Sequence, residues 1–121
     1  MTNAKRETSR APTTGDTAAK EQLFWTLAGV LLRDRAVTRS TMMGFPCLRQ
    51  DDKFFASLER GSNNLIVKLP EKRVAELVEH GEGVVFAPSG RAFREWVAIP
   101  ALDKKAWRAL LREAKAFVSD G

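Results

Sequence analysis

Three groups of side chains in this 121-residue chain have the chemistry to do something beyond folding. The first is Cys47, which could act as a nucleophile if a base or a positive field lowered its pKa. His80 is the only histidine, and its place at the end of a helix gives it no expected relation to the strand that carries Cys47. A small buried thiol is the plainer reading. One cysteine and one histidine do not make a four-ligand metal site without carboxylates. The second group is Glu95, which alternates with Phe93, Val97 and Ile99. A carboxylate on an apolar strand face can serve as a base of raised pKa. An ion pair at the strand end, or a core on the Trp96 side, explains it more simply. The turns Gly81-Glu82-Gly83 and Ser89-Gly90 match no phosphate-binding loop. No enzyme and no cofactor are expected.

The third group is cationic. Lys104, Arg108, Arg112 and Lys115 fall at i, i+4, i+8 and i+11 and form one stripe of a final helix, with Asp103 and Glu113 the acids beside it. Arg49 and Lys53 bracket a first hairpin turn, Arg60 marks a second, and Arg91 and Arg94 a third. Point charges of this kind suit phosphate contacts, and exposed hairpin tips suit a groove of nucleic acid. A solvated helix face whose long stems cover the core edge is the simpler account, since no aromatic platform interleaves with the stripe. Most of the aromatic and Met residues fall at helix or strand spacing and read as core. Trp25 and Phe55 lie off the main apolar faces of their elements. Together with Glu95 and Trp96 they are the candidates for contact with a partner or a small ligand.

Several elements must position these groups. Residues 1–15 have no periodicity and no large apolar side chain after Met1, so a disordered tail is expected there and a single domain over 16–121. Asp16 or Thr17 caps a helix running to about Arg33, with Leu23, Phe24, Leu27, Val30 and Leu31 as its core stripe. A strand over Thr41 to Arg49 turns at Asp51-Asp52 into a second over Lys53 to Glu59. In that second strand Phe54, Ala56 and Leu58 share one face, and Phe55 goes with Lys53, Ser57 and Glu59 on the other. The cluster Arg60-Gly61-Ser62-Asn63-Asn64 leads to a third strand, Leu65 to Leu69. Pro70 opens a short helix at its first position, closed by Gly81. Val84 to Phe86 and Phe93 to Ile99 are further β segments, and Asp103 caps the last helix. The expected order is α-β-β-β-α-β-β-α, an α+β domain with helices on an antiparallel sheet of about four or five strands.

Composition sets the limits. The length allows one core and not two. An apolar fraction of 44% against 29% charged residues is that of an ordinary globular protein. The richest apolar run, Leu23 to Leu32, is broken by Thr26 and Gly29 and falls short of the roughly 18 residues that cross a membrane. The first sixteen residues lack the apolar run of a secretory signal. With one cysteine there is no internal disulfide, and a cytoplasmic location is expected. The net charge of +5 favours contact with a polyanion, and residues 1–16 supply only +1 of it.

With the elements in place, one resemblance stands out. Val37-Thr38, Met42-Met43-Gly44-Phe45-Pro46-Cys47-Leu48, Lys53-Phe54-Phe55-Ala56, Leu65-Ile66-Val67-Lys68-Leu69-Pro70 and Arg94-Glu95-Trp96-Val97, in that order, resemble the N-terminal domain of TfoX/Sxy proteins and the related MmcQ/YjbR-like family. The likeness spans about Leu23 to Val118, and Met42-Met43-Gly44 stands where the TfoX pattern has Met-Phe-Gly. It implies a compact α+β domain with β-hairpin wings, a shape proposed for DNA contact in the MmcQ/YjbR relatives. TfoX-like proteins are associated with regulating natural competence. The resemblance brings no catalytic residue set. The leading expectation is a non-catalytic regulatory or nucleic-acid-associated domain that meets DNA through hairpin tips and the last helix. The alternative is a protein-interaction or small-ligand-binding domain, with a regulatory protein or a second copy of the chain as partner. Convergence of the cations on one surface separates the two.

Overall fold

The computed structural model describes residues 14–42, 45–88 and 90–120. The elements are α1 (Thr14–Leu31), β1 (Val37–Met42), β2 (Phe45–Gln50), β3 (Lys53–Leu58), β4 (Leu65–Lys68), α2 (Glu71–Glu79), β5 (Val84–Val85), β6 (Trp96–Ile99) and α3 (Lys104–Asp120). The strands form one sheet in the order β1-β2-β3-β4-β6-β5, antiparallel throughout. This is the expected α+β layering with one strand more than anticipated.

The additional strand is β1. The stretch read as a single strand from Thr41 to Arg49 takes in the end of β1, the link and most of β2, in a hairpin whose register runs from Val37↔Gln50 to Met42↔Phe45. Only Met43 and Gly44 separate the two strands, and both lie outside the described residues. Two-residue links usually carry Asn-Gly or Asp-Gly; Met43-Gly44 lacks that polar signal, so an apolar run hid the hairpin. At the other end α1 starts at Thr14, two residues ahead of the expected cap, and takes in Gly15. The remainder of the expected tail, 1–13, lies outside the described residues.

The second hairpin turn is where it was expected. Asp51 and Asp52 both have positive φ, 51° and 69°, the backbone a tight two-residue link between twisted strands requires. β3 itself departs from simple alternation. Leu48 pairs with Ala56 while Arg49 pairs with Phe54, so Phe55 is the extra residue of a β-bulge. The bulge resets the faces. Lys53 Nζ reaches the Val118 carbonyl of α3 at 3.3 Å before it, and Ala56 and Leu58 join the core after it. Phe55, placed on the outer face by its spacing, is fully buried with them.

One core joins sheet and helices. The rows Leu48–Ala56–Val67–Val97 and Leu58–Leu65–Ile99 cross the strands. Phe24, Leu27 and Ala28 of α1, Leu77 of α2, and Trp107, Leu111 and Ala114 of α3 pack with them. Pro70 is the N-cap of α2, one position earlier than expected. Its C-terminus closes with a Schellman pair, Gly81 N–H to the Val78 carbonyl at 3.1 Å and Glu82 N–H to the Leu77 carbonyl at 2.9 Å. The φ of +76° at Gly81 is what that closure demands. Asp103 caps α3 as expected, its Oδ1 accepting the Ala106 N–H at 3.1 Å. β6 begins at Trp96 and not at Phe93, because Phe93, Arg94 and Glu95 belong to the exposed turn before it.

Candidate functional site

Polar contacts at both ends set α1 beside α3. Near its N-terminus the Thr17 carbonyl accepts Asn63 Nδ2 at 3.0 Å, and Lys20 Nζ donates to Asn64 Oδ1 at 2.7 Å. These asparagines sit in the β3–β4 turn, which is stiffened by Ser62 and Asn64 donating to Glu59 Oε1. Just past its C-terminus Asp34 pairs with Lys115 of α3 at 2.9 Å. The hydrogen bond from Lys115, helped by the Ala36 N–H, holds the Asp34 carboxyl below its ordinary pKa. α3 is fixed independently. Trp107 is fully buried and its Nε1 donates to the Ala101 carbonyl at 2.7 Å. Glu113 takes a two-pronged bond from Arg73 of α2 at 2.9 and 3.2 Å, which raises the Arg73 pKa further.

Between the two helices runs a groove of about 160 Å³. Its floor is apolar: Leu27 of α1 and Leu111 of α3 are buried, and Leu31 is half-buried. Val30 lines the α1 side and is 52% exposed, although its spacing assigned it to the core stripe. The α3 side is a row of Lys104, Arg108 and Arg112. None of these three makes an ion pair or side-chain hydrogen bond with a described residue. No acid occurs between Glu21 and Asp34 on the α1 side, nor between Asp103 and Glu113 on α3, and Glu113 is occupied by Arg73. The groove is therefore uniformly positive above an apolar floor. Lys104 and Lys105 also occupy the first turn of α3, where the helix dipole disfavours cations by roughly 0.3–1 kcal/mol. Helix stability does not account for their presence.

The other expected site residues do not join this group. Lys115 belongs to the same stripe but is taken up by Asp34. Arg49 points to the opposite sheet face, over the Phe54 ring at 5.4 Å, and its buried Nε has no acceptor among the described residues. Arg60 lies over the Phe45 ring at 4.7 Å. Lys53 serves α3, Arg94 pairs with Glu71 at 3.7 Å, and Arg91 is exposed in the turn before β6. The cations thus divide among at least three regions.

Glu95 lies before β6, exposed and 3.9 Å from Lys68, which makes it an ion-pair partner and removes the apolar-face argument for a base. Trp96, the first residue of β6, is half-buried. Trp25 is half-buried too, edge-on to Phe24 with Arg39 at 4.4 Å from its ring. It walls an open hollow of about 400 Å³ with Arg39 and Pro46. Phe55, in the core, can meet no partner. Cys47 is buried, and burial pushes its thiol pKa up, against the requirement of a nucleophile.

The residues the sequence did not single out are Val30, Thr26 and the Arg73–Glu113 tie. Periodicity ranks Val30 with the core, whereas in the fold it stands at the groove edge, 52% exposed. Among the described residues no group of three or more His, Cys, Asp or Glu is placed to hold a metal ion, and no helix is long and apolar enough to cross a membrane. The chain matches no model of a known protein family and no curated protein sequence.

Proposed function

We propose that this domain is a non-catalytic binding module that recognises an anionic partner along the groove between α1 and α3. The observation that carries the proposal is the row Lys104, Arg108 and Arg112, which among the described residues is unpaired and walls a groove with no acid in its lining. Surface cations normally find carboxylates or solvent separately. Three in register over an apolar floor form a complementary surface for one extended anion. The other candidate cations give the hairpin-wing mode of DNA contact less support, since Arg49 and Arg60 stack on rings and Arg94 has a carboxylate partner.

A second reading remains tied to the same helix. Regularly spaced cations on α3 suit phosphates as they suit carboxylates, so a nucleic-acid-associated role, and with it kinship to the TfoX/Sxy and MmcQ/YjbR-like families, stands as a proposal on that row. The test is fluorescence anisotropy with two labelled probes, a DNA duplex and a glutamate-rich peptide, at several salt concentrations. Reversal of Arg108 and Arg112 to Glu should weaken whichever probe binds by tenfold or more and flatten its salt dependence by about two charges. Reversal of Arg91 and Arg94 should change little. Equal losses from the two double variants, or no binding of either probe by the native chain at low salt, refute the proposal.

A further inference from the structure

We infer that the occupant of the groove is an acidic helical segment of another protein that seats one large apolar side chain on the groove floor. The inference rests on the reading of this groove as an anion site and adds what the anion is attached to. Three observations point there. The first is the floor: Leu27 and Leu111 are buried, yet Val30 beside them is 52% exposed. A phosphate backbone would leave that apolar surface unmet, and among the described residues no aromatic ring lines the groove on which a base could stack. The second is volume. About 160 Å³ is close to the roughly 150 Å³ of an engineered apolar cavity that holds a benzene ring. The groove therefore takes one Leu, Ile or Phe side chain, and not a long acyl chain.

The third is pitch. Lys104, Arg108 and Arg112 are four residues apart on α3, so they recur about every 6 Å along the helix axis. A second helix laid along the groove presents its own residues at the same repeat. With an apolar anchor at position i, residues i−3, i+1 and i+5 form a row to one side of it, at about 100° per residue. Carboxylates in that row meet all three cations while the anchor points to the floor. This is the helix-in-groove mode, with charge on one flank setting orientation.

The experiment uses the full chain and a fluorescein-labelled helical peptide of about 16 residues, Ala- and Gln-based, with Leu at i and Glu at i−3, i+1 and i+5. The expected result is saturable binding that falls tenfold or more when the peptide Leu becomes Ala, and by a similar factor when its three Glu become Gln. Val30→Glu in the protein should abolish it while leaving the circular dichroism and melting temperature near native, because the residue is exposed. Nuclear magnetic resonance shifts should concentrate at Thr26, Val30, Arg108 and Arg112. If the Leu→Ala peptide binds as tightly as its parent and Val30→Glu is silent, the site is a plain polyanion site and the inference falls while the function proposed above survives. If a DNA duplex binds and the peptide does not, nucleic acid is the occupant and the inference is overturned. Failure of every anion to bind overturns both.

Discussion

The burial of Phe55 offers the sharpest check on the architecture, because strict strand alternation predicts the opposite. Counting by twos places Phe54 with Ala56 and Leu58 in the core and turns Phe55 outward. The bulge opposite Leu48 and Arg49 reverses the two phenylalanines. Phe55 is 0% exposed, whereas Phe54 is half-buried beneath the Arg49 guanidinium. Truncation of a fully buried Phe to Ala removes about 3–5 kcal/mol, since transfer and cavity terms add. Phe54→Ala gives up part of its area and a cation–π contact worth about 0.5–1 kcal/mol, for a total of about 1–2 kcal/mol. With a urea m-value of about 1.5 kcal/mol/M for a domain of this size, Phe55→Ala should lower the unfolding midpoint by roughly 2–3 M and Phe54→Ala by roughly 1 M. Urea titration followed by tryptophan fluorescence measures both, with Trp107 and Trp96 as reporters in the same fold. If Phe54→Ala is the more damaging, the bulge is misplaced, and so are the faces of β3 and the seat of α3 upon them.

Three further outcomes follow from individual contacts. Gly83→Ala should destabilise by about 1–3 kcal/mol through overpacking, because a Cβ there would lie 2.6 Å from Val97 Cγ2 and 3.2 Å from Leu77 Cβ; a thermal melt unchanged from native would contradict the close approach. Asp34, its folded pKa lowered by Lys115, adds stability that is present above its unfolded value near pH 4 and is lost as pH falls through the lowered folded value. Asp34→Asn should therefore remove part of the acid dependence of the midpoint below about pH 4 and leave the slope near neutrality alone. Cys47, buried with its thiol pKa raised by that burial, should resist alkylation by iodoacetamide at pH 8 until urea unfolds the chain; rapid labelling of the native protein would restore it as a reactive group.

Much of the fold could be read from local chemistry. The Asp51-Asp52 turn, the caps at Asp103 and Gly81 and the core stripe of α3 each announce themselves within a few residues, through side-chain hydrogen bonding, a positive φ that glycine adopts without steric cost, or a period of 3.6. What stayed hidden depended on partners distant in sequence. The β1–β2 hairpin has no polar link, so only pairing reveals it. The bulge at Phe55 exists because β2 and β3 differ by one residue in register, and no window within β3 contains that information. The candidate site divides in the same way. The α3 row was evident from spacing alone, but removal of Lys115 from it required Asp34, 81 positions earlier in the chain. Val30 became a groove residue only when α1 met α3. Glu95 lost its apolar face because the strand starts one residue after it.

The way α1 is fastened has a mechanical consequence. Among the described residues its hydrogen bonds and ion pairs to other elements gather toward the two extremities, Thr17 and Lys20 against the Asn63–Asn64 turn and Asp34 against Lys115. Its midsection touches the core through apolar side chains, Phe24, Leu27 and Ala28 buried and Leu23 and Trp25 partly so, and apolar contact has no preferred angle. The helix behaves as a beam clamped at both supports and cushioned at mid-span, and the groove opens at mid-span. An arriving side chain can bow that beam outward without breaking a hydrogen bond at either support. Accommodation of this kind draws on compliance already stored between the clamps, so amide protection in the Glu59–Asn64 turn should stay constant while the environment of Val30 changes.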